Sequence, residues 1–371
     1  MKVIDMDKKL RVGIICGGKS TEHEVSLQSA RNVIANLDRE KFEPVLIAID
    51  KQGKWFSPQA GQKAIEGKSM YQELVQEASD QSTALVPESQ GRMLNNTSDA
   101  PLPSLDVVFP VLHGGTGEDG SVQGLLKLAN IPFVGASILG SAIGMDKDVM
   151  KRLLRDAGIP VAQFLTVREK TVPIYDEVVQ TLGVPFFVKP ANAGSSVGVH
   201  RVKSAVEYKS ALKDAFFYDT KVLVEEGIVG REIEVSVLGN DDPQASVPGE
   251  IIPKNGFYSY EAKYLNDDGA AIEIPAKLSE EIVARIQKLA VETFQVLSCE
   301  GLGRVDFFLK ENGEVLVNEI NTLPGFTAIS MYPKLWVASG LSYTELITRL
   351  IELAIERHEK EQRLRTSFSS E

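Results

Sequence analysis

Hydrophobic and polar residues alternate most regularly in residues 301–325 of the chain. Two alternating runs, Arg304–Lys310 and Val315–Asn321, flank the sequence Glu-Asn-Gly-Glu. Asn-Gly between such runs favours a two-residue hairpin loop, because a type I′ turn requires positive φ at both central residues. The pattern therefore predicts a β-hairpin in which Glu311 pairs with Glu314.

This register divides the hairpin side chains between two faces. Asp306 falls opposite Glu319 and Arg304 falls opposite Asn321, and the two-residue period of a strand places all four on one face. The other face is predicted to join the core, and its members are Val305, Phe307, Leu309, Leu316, Ile320 and the polar Asn318.

The polar face of the hairpin has two interpretations. Two carboxylates directly opposite each other repel, so a positive charge is expected between them. Arg304 would supply it on a solvated face with an Arg–Asp pair. A divalent cation is the alternative, because Asp306, Glu319 and Asn321 offer the oxygen ligands that Mg²⁺ takes beside nucleotide phosphates. The hairpin alone leaves both open.

Short apolar runs near the N-terminus predict a parallel sheet covered by helices. The strands are expected at residues 11–16, 43–49 and 104–112. A helix is predicted after Gly17-Gly18, with Thr21 and Glu24 as its capping box. In doubly wound sheets of this kind, ligands lie beyond the carboxyl ends of the strands. Residues 13–20 also fit the P-loop pattern, but their middle positions are strand material, so we interpret the match as accidental.

Two glycine-rich loops follow predicted strands. HGGTGEDG, which begins at His113, permits close backbone approach to a small ligand. His113 itself is either a ligand contact or a loop histidine bonded to backbone. ANAGSSVG, which follows Lys189-Pro190, offers backbone amides and the hydroxyls of Ser195 and Ser196. Such a loop can cover phosphates, and the alternative is a flexible hairpin tip.

The remaining pattern mixes helices, strands and one long irregular segment. Further strands are predicted at residues 184–188, 221–225 and 231–238, and helices at 143–157, 279–297 and from Ser342, with Glu345 completing a capping box. Residues 249–276 crowd aromatic and charged residues together without a helical or strand period, which is typical of a functional loop. A polar tail from His358 is expected to fray.

Composition narrows the classes of function. Of 371 residues, 43% are hydrophobic and 25% are charged, which is typical of a globular protein of two or three domains. The formal net charge of −11 argues against nucleic-acid and anionic-membrane partners. Two cysteines give no disulfide framework, and neither a signal peptide nor an apolar run of about 20 residues is visible. We therefore expect a cytoplasmic protein.

Seven motifs taken together resemble one family. They are GGKSTEHEVSL, LHGGTGEDG, MDK, KPANAGSSVG, EAKY, GRVDFF and NEINTLPGFTAISMYP. Their order over residues 11–345 is similar to that of the D-alanine–D-alanine ligases, members of the ATP-grasp superfamily, in which two α+β lobes clasp ATP.

The resemblance implies a fold and its divisions. The fold class would be α/β and α+β, an ATP-grasp fold with an N-terminal doubly wound α/β domain. That substrate-binding domain is expected at residues 1–135, with a polar insertion at 51–104. The central ATP-grasp lobe would span 136–228, and the C-terminal lobe 229–371 would carry the lid loop 249–276 and the metal hairpin 304–321.

The resemblance also implies a nucleotide and metal site. Asp306, Glu319 and Asn321 would hold two Mg²⁺ (or Mn²⁺) ions, with Glu319 between them. Glu225 would read the adenine amino group, and Glu232 would take the ribose hydroxyls. The full set expected to bind ATP is Lys147, Lys189, Ser196, Glu225, Glu226, Ile228, Glu232, Phe257 and Lys263.

A second group of residues would handle the amino acids. Glu22 is expected to receive the ammonium group of the first D-alanine, although a carboxylate there also suits the helix dipole. Ser195 and Tyr264 would link to Glu22 and close the site. The remaining members are Arg304 and the Gly325 amide at the oxyanion, His113 near the first carboxylate, and Ser330 with Met331 at the second.

The implied activity is the ATP-dependent joining of two D-alanines through an acyl phosphate, for the peptidoglycan precursor, by a homodimer that acts on small molecules. One alternative is a depsipeptide ligase that joins D-alanine to a D-hydroxy acid. Tyr264 counts against it, because such relatives usually alter that residue. The other is a catalytically silent ATP-grasp regulator that only binds nucleotide, against which the complete set of Arg304, lysines and metal ligands counts.

Overall fold

The structure of the chain is a computed structural model that describes residues 9–56, 58, 82–95, 102–253 and 270–368. Within these ranges the strands form three main sheets and a two-stranded ribbon. The ribbon lies in the polar insertion and consists of β3 (Thr83–Leu85) and β4 (Met93–Asn95). The mixed α/β and α+β organisation predicted from sequence is confirmed.

The first sheet is parallel, as predicted. β1 (Leu10–Gly17) lies between β2 (Phe42–Ile49) and β5 (Val107–Val111). Alternate residues of β1 enter different cores, with Ile14 packing in one and Ile15 in the other. Burial on both faces explains the continuous apolar runs of these strands. Two helices accompany the sheet, α1 (His23–Asn36) and α2 (Ser121–Leu128).

The second sheet is antiparallel, with the strand order β6-β9-β7-β8. Its strands are β6 (Phe164–Val167), β7 (Phe186–Pro190), β8 (His200–Val202) and β9 (Val222–Glu226). Its helices are α5 (Tyr175–Leu182) and α6 (Ala205–Tyr218). In the register of β7 and β9, Phe187 lies opposite Glu225 and Lys189 opposite Leu223, so two charged residues of the predicted ATP site lie on neighbouring strands.

The third sheet has the order β13-β12-β10-β14-β15, and β11 pairs with β10. Its strands are β10 (Arg231–Gly239), β11 (Gln244–Ala245), β12 (Gly249–Pro253), β13 (Ala270–Glu273), β14 (Gly301–Leu309) and β15 (Val315–Asn321). Helix α7 (Glu280–Val296) packs on one face, within the predicted range 279–297, and Ser279 caps it by accepting a hydrogen bond from the Ile282 amide. The predicted irregular segment 249–276 is wrong at its two ends, because β12 and β13 pair there.

The predicted two-residue turn of the β14–β15 hairpin is wrong. Gly313 has φ +82°, but Asn312 is not in the positive-φ region, and the Lys310 amide donates to the Glu314 carbonyl. The loop therefore contains three residues, and Glu311 does not pair with Glu314. Asp306 lies opposite Glu319, but the next residue of β14, Phe307, lies opposite Val317. Strand β15 therefore has one extra residue at this point, Asn318.

Asp306 nevertheless faces Glu319, and Arg304 faces Asn321, as predicted. The three-residue turn shifts the pairing of the two strands by one residue from the predicted register, and the bulge at Asn318 shifts it back. Below the bulge the faces are exchanged relative to the prediction. Val315 and Val317 enter the core with Phe307, whereas Leu316 lies opposite Phe308 and outside that core.

Two predicted helix starts are also wrong. The helix expected over 143–157 is two helices, α3 (Ile138–Met145) and α4 (Lys147–Asp156), because Asp146 caps the second by accepting hydrogen bonds from the Asp148 and Val149 amides, both at 3.1 Å. Helix α1 lacks the Thr21–Glu24 capping box. Its N-cap residue is Glu22, and Glu24 forms an ion pair with Lys51 at 2.7 Å.

The C-terminal region is more helical than predicted. Helix α8 (Met331–Ala338) was not anticipated, and α9 (Tyr343–Gln362) begins with the predicted Ser342–Glu345 capping box. The expected fraying from His358 is wrong, because α9 continues to Gln362. Arg357, which is 6% exposed, donates to the carbonyl oxygens of Gly135 and Phe133 and so fastens α9 to the N-terminal region.

One hydrophobic core joins the two ends of the described chain. Residues 346–354 of α9 and Trp336 of α8 pack with Val12, Ile14 and the apolar side of α1. The N-terminal sheet and the C-terminal helices therefore share an interior and fix each other's position around the cleft that lies between them and the other sheets.

Candidate active site

A cleft of about 530 Å³ collects side chains from all parts of the fold. The start of α1 provides Glu22, the loop after β5 provides His113 and Glu118, and the loop after β7 provides Ser195. The remaining residues that carry charge or hydrogen-bonding groups into the cleft are Glu24, Gln28, Lys147, Glu234, Arg304, Glu319, Asn321, Thr322, Thr327 and Ser330. Ten of the sequence-predicted site residues line it, namely Glu22, His113, Lys147, Ser195, Arg304, Glu319, Asn321, Gly325, Ser330 and Met331.

Glu22 and Ser195 join two distant parts of the chain at the wall of the cleft. The Ser195 hydroxyl donates to Oε1 of Glu22 at 2.6 Å, and Glu22 is 9% exposed. Ser195 and Ser196 have φ values of +53° and +60°, a strained conformation for residues with a side chain. The predicted Glu22–Ser195 contact is thus present, and the loop that makes it is held in a sparsely populated backbone conformation.

His113 is fully engaged by the protein. Its Nδ1 donates to the Leu323 carbonyl at 3.1 Å, so Nε2 accepts from the Ser29 hydroxyl at 3.1 Å. Burial lowers the pKa of His113, and the attraction of Glu22 offsets only part of that effect. A neutral His113 therefore braces the loop around Leu323 against α1, which is the arrangement expected of a bonded loop histidine, while one edge still faces the cleft.

Glu118 was missed by the sequence reasoning, which treated its loop only as a glycine-rich backbone. Its Oε1 lies 3.9 Å from Nδ1 of His113, and its side chain is 14% exposed at the cleft. Burial raises the pKa of Glu118 well above its ordinary value, and the negative charge of Glu22 raises it further. Two carboxyl groups thus lie close together on the wall formed by α1 and the loop after β5.

The polar face of the hairpin forms a network that we call the hairpin cluster (Lys147, Glu234, Arg304, Asp306 and Glu319). Arg304 contacts both carboxylate oxygens of Asp306, at 2.7 and 2.8 Å, and its Nε lies 3.0 Å from Glu234. Lys147 lies 3.2 Å from Glu319 and donates to the Ala193 carbonyl at 2.9 Å. Glu234, on β10 opposite Asp306, was not predicted as a site residue.

The hairpin cluster fits a divalent cation by its chemistry. Among the described residues no group of three or more His, Cys, Asp or Glu side chains is arranged to hold a metal. Asp306 nevertheless lies opposite Glu319, and Asn321 follows two residues later on the same face of β15, where its Oδ1 accepts from the Leu323 amide at 3.0 Å. These side chains offer the oxygen atoms that Mg²⁺ takes, and Mg²⁺ characteristically completes its shell with phosphate and water oxygens. Arg304 and Lys147 form ion pairs with Asp306 and Glu319 respectively.

A second network, the buried trio, lies between β7, β9 and α4. Lys189 donates a hydrogen bond to Oε2 of Glu225 at 2.5 Å, and the amino group of Lys151 forms an ion pair with Oε1 at 2.5 Å without hydrogen-bond geometry. Lys151 is 0% exposed, and it was not predicted as a site residue. Burial alone would raise the pKa of Glu225, but attraction to the two lysines lowers it below the ordinary value.

The remaining predicted ATP residues that the structure describes lie outside the 530 Å³ cleft. Oε1 of Glu226 accepts a hydrogen bond from the Gln163 amide at 2.6 Å, and Glu232 lies on β10 opposite Phe308 and Ile251. Ser196 and Ile228 are half-buried. Phe257, Lys263 and Tyr264 lie outside the described residues.

Comparison with known proteins gives consistent matches along the chain. Residues 11–136 match the family model "D-ala D-ala ligase N-terminus", and residues 153–352 match "D-ala D-ala ligase C-terminus". A D-alanine–D-alanine ligase of Shouchella clausii is 54% identical over 97% of this chain and 98% of its own length. D-alanine–D-alanine ligase A of Escherichia coli K12 is 53% identical over 97% of this chain and 100% of its own length.

Solved structures give the same result. The D-alanine-D-alanine ligase of Coxiella burnetii has a TM-score of 0.85 and 41% identity, with 96% of each chain covered. The VanG D-Ala:D-Ser ligase of Enterococcus faecalis has a TM-score of 0.83 and 36% identity, covering 94% of this chain and 100% of its own. The likeness therefore covers 96% and 94% of this chain in the two structures.

Proposed function

This chain belongs to the D-alanine–D-alanine ligase family, and we propose that it uses ATP to join two D-alanines into D-alanyl-D-alanine. The observation that carries the proposal is that one cleft contains the Glu22–Ser195 pair, Arg304 and Glu319, which come from three separate regions of the chain. An ammonium acceptor, a cationic donor for an oxyanion and a carboxylate that suits a metal are the groups that this reaction needs.

The first step activates a carboxylate. The carboxylate of the first D-alanine attacks the γ-phosphorus of ATP, the bond to the β-phosphate oxygen breaks, and an acyl phosphate and ADP result. Glu22 would bind the ammonium group and so orient this substrate. Lys147 and Lys189 would lie along the phosphates and offset their negative charge.

Mg²⁺ would supply charge neutralisation on the transferring phosphoryl group when it is bound. Asp306, Glu319 and Asn321 would hold it, and we propose two ions with Glu319 shared between them. Glu319 and Asn321 line the cleft, and Glu319 lies 3.2 Å from Lys147. These residues thus bring the metal side of the site to the lysine that would contact the phosphates.

The second step forms the peptide bond. The amine of the second D-alanine attacks the acyl carbon, the carbonyl oxygen gains negative charge, and phosphate leaves when the tetrahedral species collapses. Arg304 and the Gly325 amide would donate to that oxygen, a contribution of about 3–4 kcal/mol for one preorganised donor. Ser330 and the Met331 amide stand at the N-terminus of α8, where the helix dipole favours the carboxylate of the second substrate.

Water must be kept from the acyl phosphate until the amine attacks. The strands β12 and β13 hold the two ends of residues 249–276, and Ile251 and Ile272 line the cleft. Phe257, Lys263 and Tyr264, to which the resemblance gives roles at the nucleotide and the substrates, lie outside the described residues.

The setting of the reaction follows from its product. We propose a cytoplasmic homodimer that supplies the D-alanyl-D-alanine unit of a peptidoglycan precursor. The net charge of −11 disfavours nucleic-acid partners, and the family acts on small-molecule substrates. Among the described residues, no helix combines the length and apolar character required to cross a bilayer.

A coupled assay of ADP release tests the proposal. Turnover that depends on D-alanine alone, with D-alanyl-D-alanine as the product, supports it. Turnover that needs D-lactate or D-serine as the second substrate would assign a different acceptor, and ADP or ATP binding without turnover would indicate a silent nucleotide-binding protein. Glu319→Gln should abolish turnover, and full activity in that variant would overturn the metal assignment.

A further inference from the structure

We propose that Lys151 is a positioning residue that keeps Glu225 charged and oriented for the adenine amino group, so that the buried trio sets the preference for adenine over guanine nucleotides. The inference rests on the proposed function, because it takes Glu225 as the adenine-reading residue. It adds a residue, Lys151, that makes no contact with the nucleotide itself.

The buried trio places two lysines around one carboxylate. Lys151, Glu225 and Lys189 are 0%, 4% and 7% exposed, and the fold sets two amino groups against one carboxylate. Burial lowers the pKa of Lys151, and attraction to Glu225 offsets part of that effect. When both amino groups are protonated, the trio carries one excess positive charge. Two buried cations on one carboxylate are more than ion pairing requires. The excess charge is suited to a site that receives an anion, and the phosphates of ATP provide one.

Lys189 would interact with two partners, Glu225 and the ATP phosphates. It binds Oε2 of Glu225 at 2.5 Å, and the proposed function requires its ammonium group at the ATP phosphates. When Lys189 turns toward the phosphates, Glu225 loses that ion pair. A buried carboxylate left alone is strongly disfavoured in its charged form and takes up a proton. Lys151 prevents this, because it binds the other oxygen, Oε1, at 2.5 Å.

The fold holds Lys151 in place independently of the nucleotide. It lies on α4, one helical turn after Lys147, so both lysines project from the same side of that helix. The Asp146 side chain fixes the start of α4 by accepting hydrogen bonds from the Asp148 and Val149 amides. Lys151 is therefore anchored by its own helix and does not depend on β7, which carries Lys189.

A charged Glu225 discriminates between purines. Adenine presents an amino group at position 6, which donates to a carboxylate in a charge-assisted hydrogen bond. Guanine presents a carbonyl oxygen there, which a carboxylate repels. A protonated Glu225 could donate to that oxygen and would accept guanine. Loss of Lys151 should therefore weaken the binding of adenine nucleotides and reduce the discrimination against guanine nucleotides.

Binding of ADP and GDP by calorimetry tests this without requiring turnover, so it is separable from the test of the ligase reaction. Lys151→Met should weaken ADP binding about tenfold or more and lower the ADP/GDP affinity ratio by a similar factor. In the turnover assay, KM for ATP should rise while kcat at saturating ATP changes less than about threefold. Unchanged ADP/GDP selectivity in a folded Lys151→Met protein would overturn the inference.

The matched control is Lys221→Met. Lys221 is also a buried lysine of the same region, 7% exposed and paired with Asp146 and Asp148. Its loss should lower stability and leave the ADP/GDP ratio unchanged. An equal loss of selectivity in both variants would show that Lys151 acts only through stability.

A double variant keeps the test decisive if Lys151→Met alone does not fold. Lys151→Met/Glu225→Gln removes both charges of one buried pair, which is tolerated better than removing one. If Lys151 acts through Glu225, the double variant and Glu225→Gln alone have the same ADP/GDP ratio. A further change of the ratio in the double variant would overturn the inference. Wild-type protein that binds neither nucleotide would instead refute the proposed function.

Discussion

The hairpin cluster and the buried trio balance charge in different surroundings. In the hairpin cluster, Asp306 and Glu319 retain 15% and 31% side-chain exposure, and Glu319 lines the cleft. In the buried trio, Glu225 retains 6%, and each of its oxygens already binds a lysine. Water can solvate the first set when its partners change, whereas the second must keep a cation on its carboxylate at all times. The first is suited to exchanging ligands during chemistry and the second to recognition.

The largest expected effect lies in the hairpin cluster and concerns rate. Arg304→Met should lower kcat by about 10²- to 10³-fold, because it removes a donor to the developing oxyanion. ADP binding should change little, since Arg304 does not contact the buried trio. Steady-state kinetics and calorimetry on the same protein measure both quantities.

The control for this prediction is Arg231→Met. Arg231 pairs through two nitrogens with Glu250 on the same sheet but does not line the cleft. Its kcat should stay within about threefold of wild type. A comparable loss of kcat in both variants would mean that Arg304 supports the sheet and does not act in the reaction.

The next effect lies in the buried trio and concerns stability. Lys151→Met/Lys189→Met should lower the free energy of unfolding by about 3–5 kcal/mol, because it leaves Glu225 buried without a cation. Each single variant should lose less than half of this, since one lysine remains. Urea denaturation monitored by circular dichroism measures the three losses.

The same pair of changes in the hairpin cluster sharpens the contrast. Arg304→Met/Lys147→Met should lose less stability than the trio double variant, because water reaches Asp306 and Glu319. Equal losses in the two double variants would remove the distinction drawn between solvated and buried charge.

A third effect concerns the acidic wall of the cleft and depends on pH. Since burial and Glu22 raise the pKa of Glu118, the folded protein holds a proton there that the unfolded chain releases above about pH 4.3. The unfolding free energy should therefore fall as pH rises from that value through the folded-state pKa of Glu118. Glu118→Gln should flatten this part of the curve, as measured by urea denaturation across the pH range.

His113 provides the comparison of opposite sign. Its folded-state pKa is lowered by burial, so its contribution is present above about pH 6.5 and is lost as the pH falls, because the unfolded chain then binds a proton that the folded protein does not. His113→Gln should reduce the loss of stability on acidification. A Glu118→Gln curve that parallels wild type would contradict the environment assigned to this carboxyl.

The smallest effect tests the turn that sets the hairpin register. Gly313→Ala should cost about 1–2 kcal/mol, because Gly313 has φ +82° and no neighbour within 4 Å that a methyl group could contact favourably. Asn312→Asp should change stability by about 0.5 kcal/mol or less, because the Glu314 amide keeps its acceptor. Equal losses at both positions would favour the two-residue turn.

The hairpin illustrates how far a sequence pattern reaches. Strand alternation correctly paired Asp306 with Glu319, although the turn was wrong and the bulge at Asn318 was not foreseen. A bulge leaves no strong mark in a sequence, since it depends on how two strands pack against a sheet. The predicted pairing of Asp306 with Glu319 is correct because the error in turn length and the unforeseen bulge cancel. Between the turn and the bulge only the first error acts, so the faces of β15 were predicted wrongly there.

The missed site residues differ in whether a signal existed. Lys151 follows Lys147 by four residues, and Glu234 follows Glu232 by two, so helix and strand periods already placed each beside a predicted site residue. Glu118 carried no such signal, because its importance comes from burial near Glu22. Arg357 donates to carbonyl groups more than 220 residues away in the chain, and no local sequence pattern predicts such a contact.

The shared interior of α9 and the first sheet has a consequence for synthesis on the ribosome. The face of β1 that carries Val12 and Ile14 is completed by residues 346–354, which leave the exit tunnel more than 300 residues later. At a synthesis rate of about 5–20 residues per second, that face of the sheet stays uncovered for tens of seconds. Chaperone dependence of the newborn chain is therefore expected to end only when its final helix emerges.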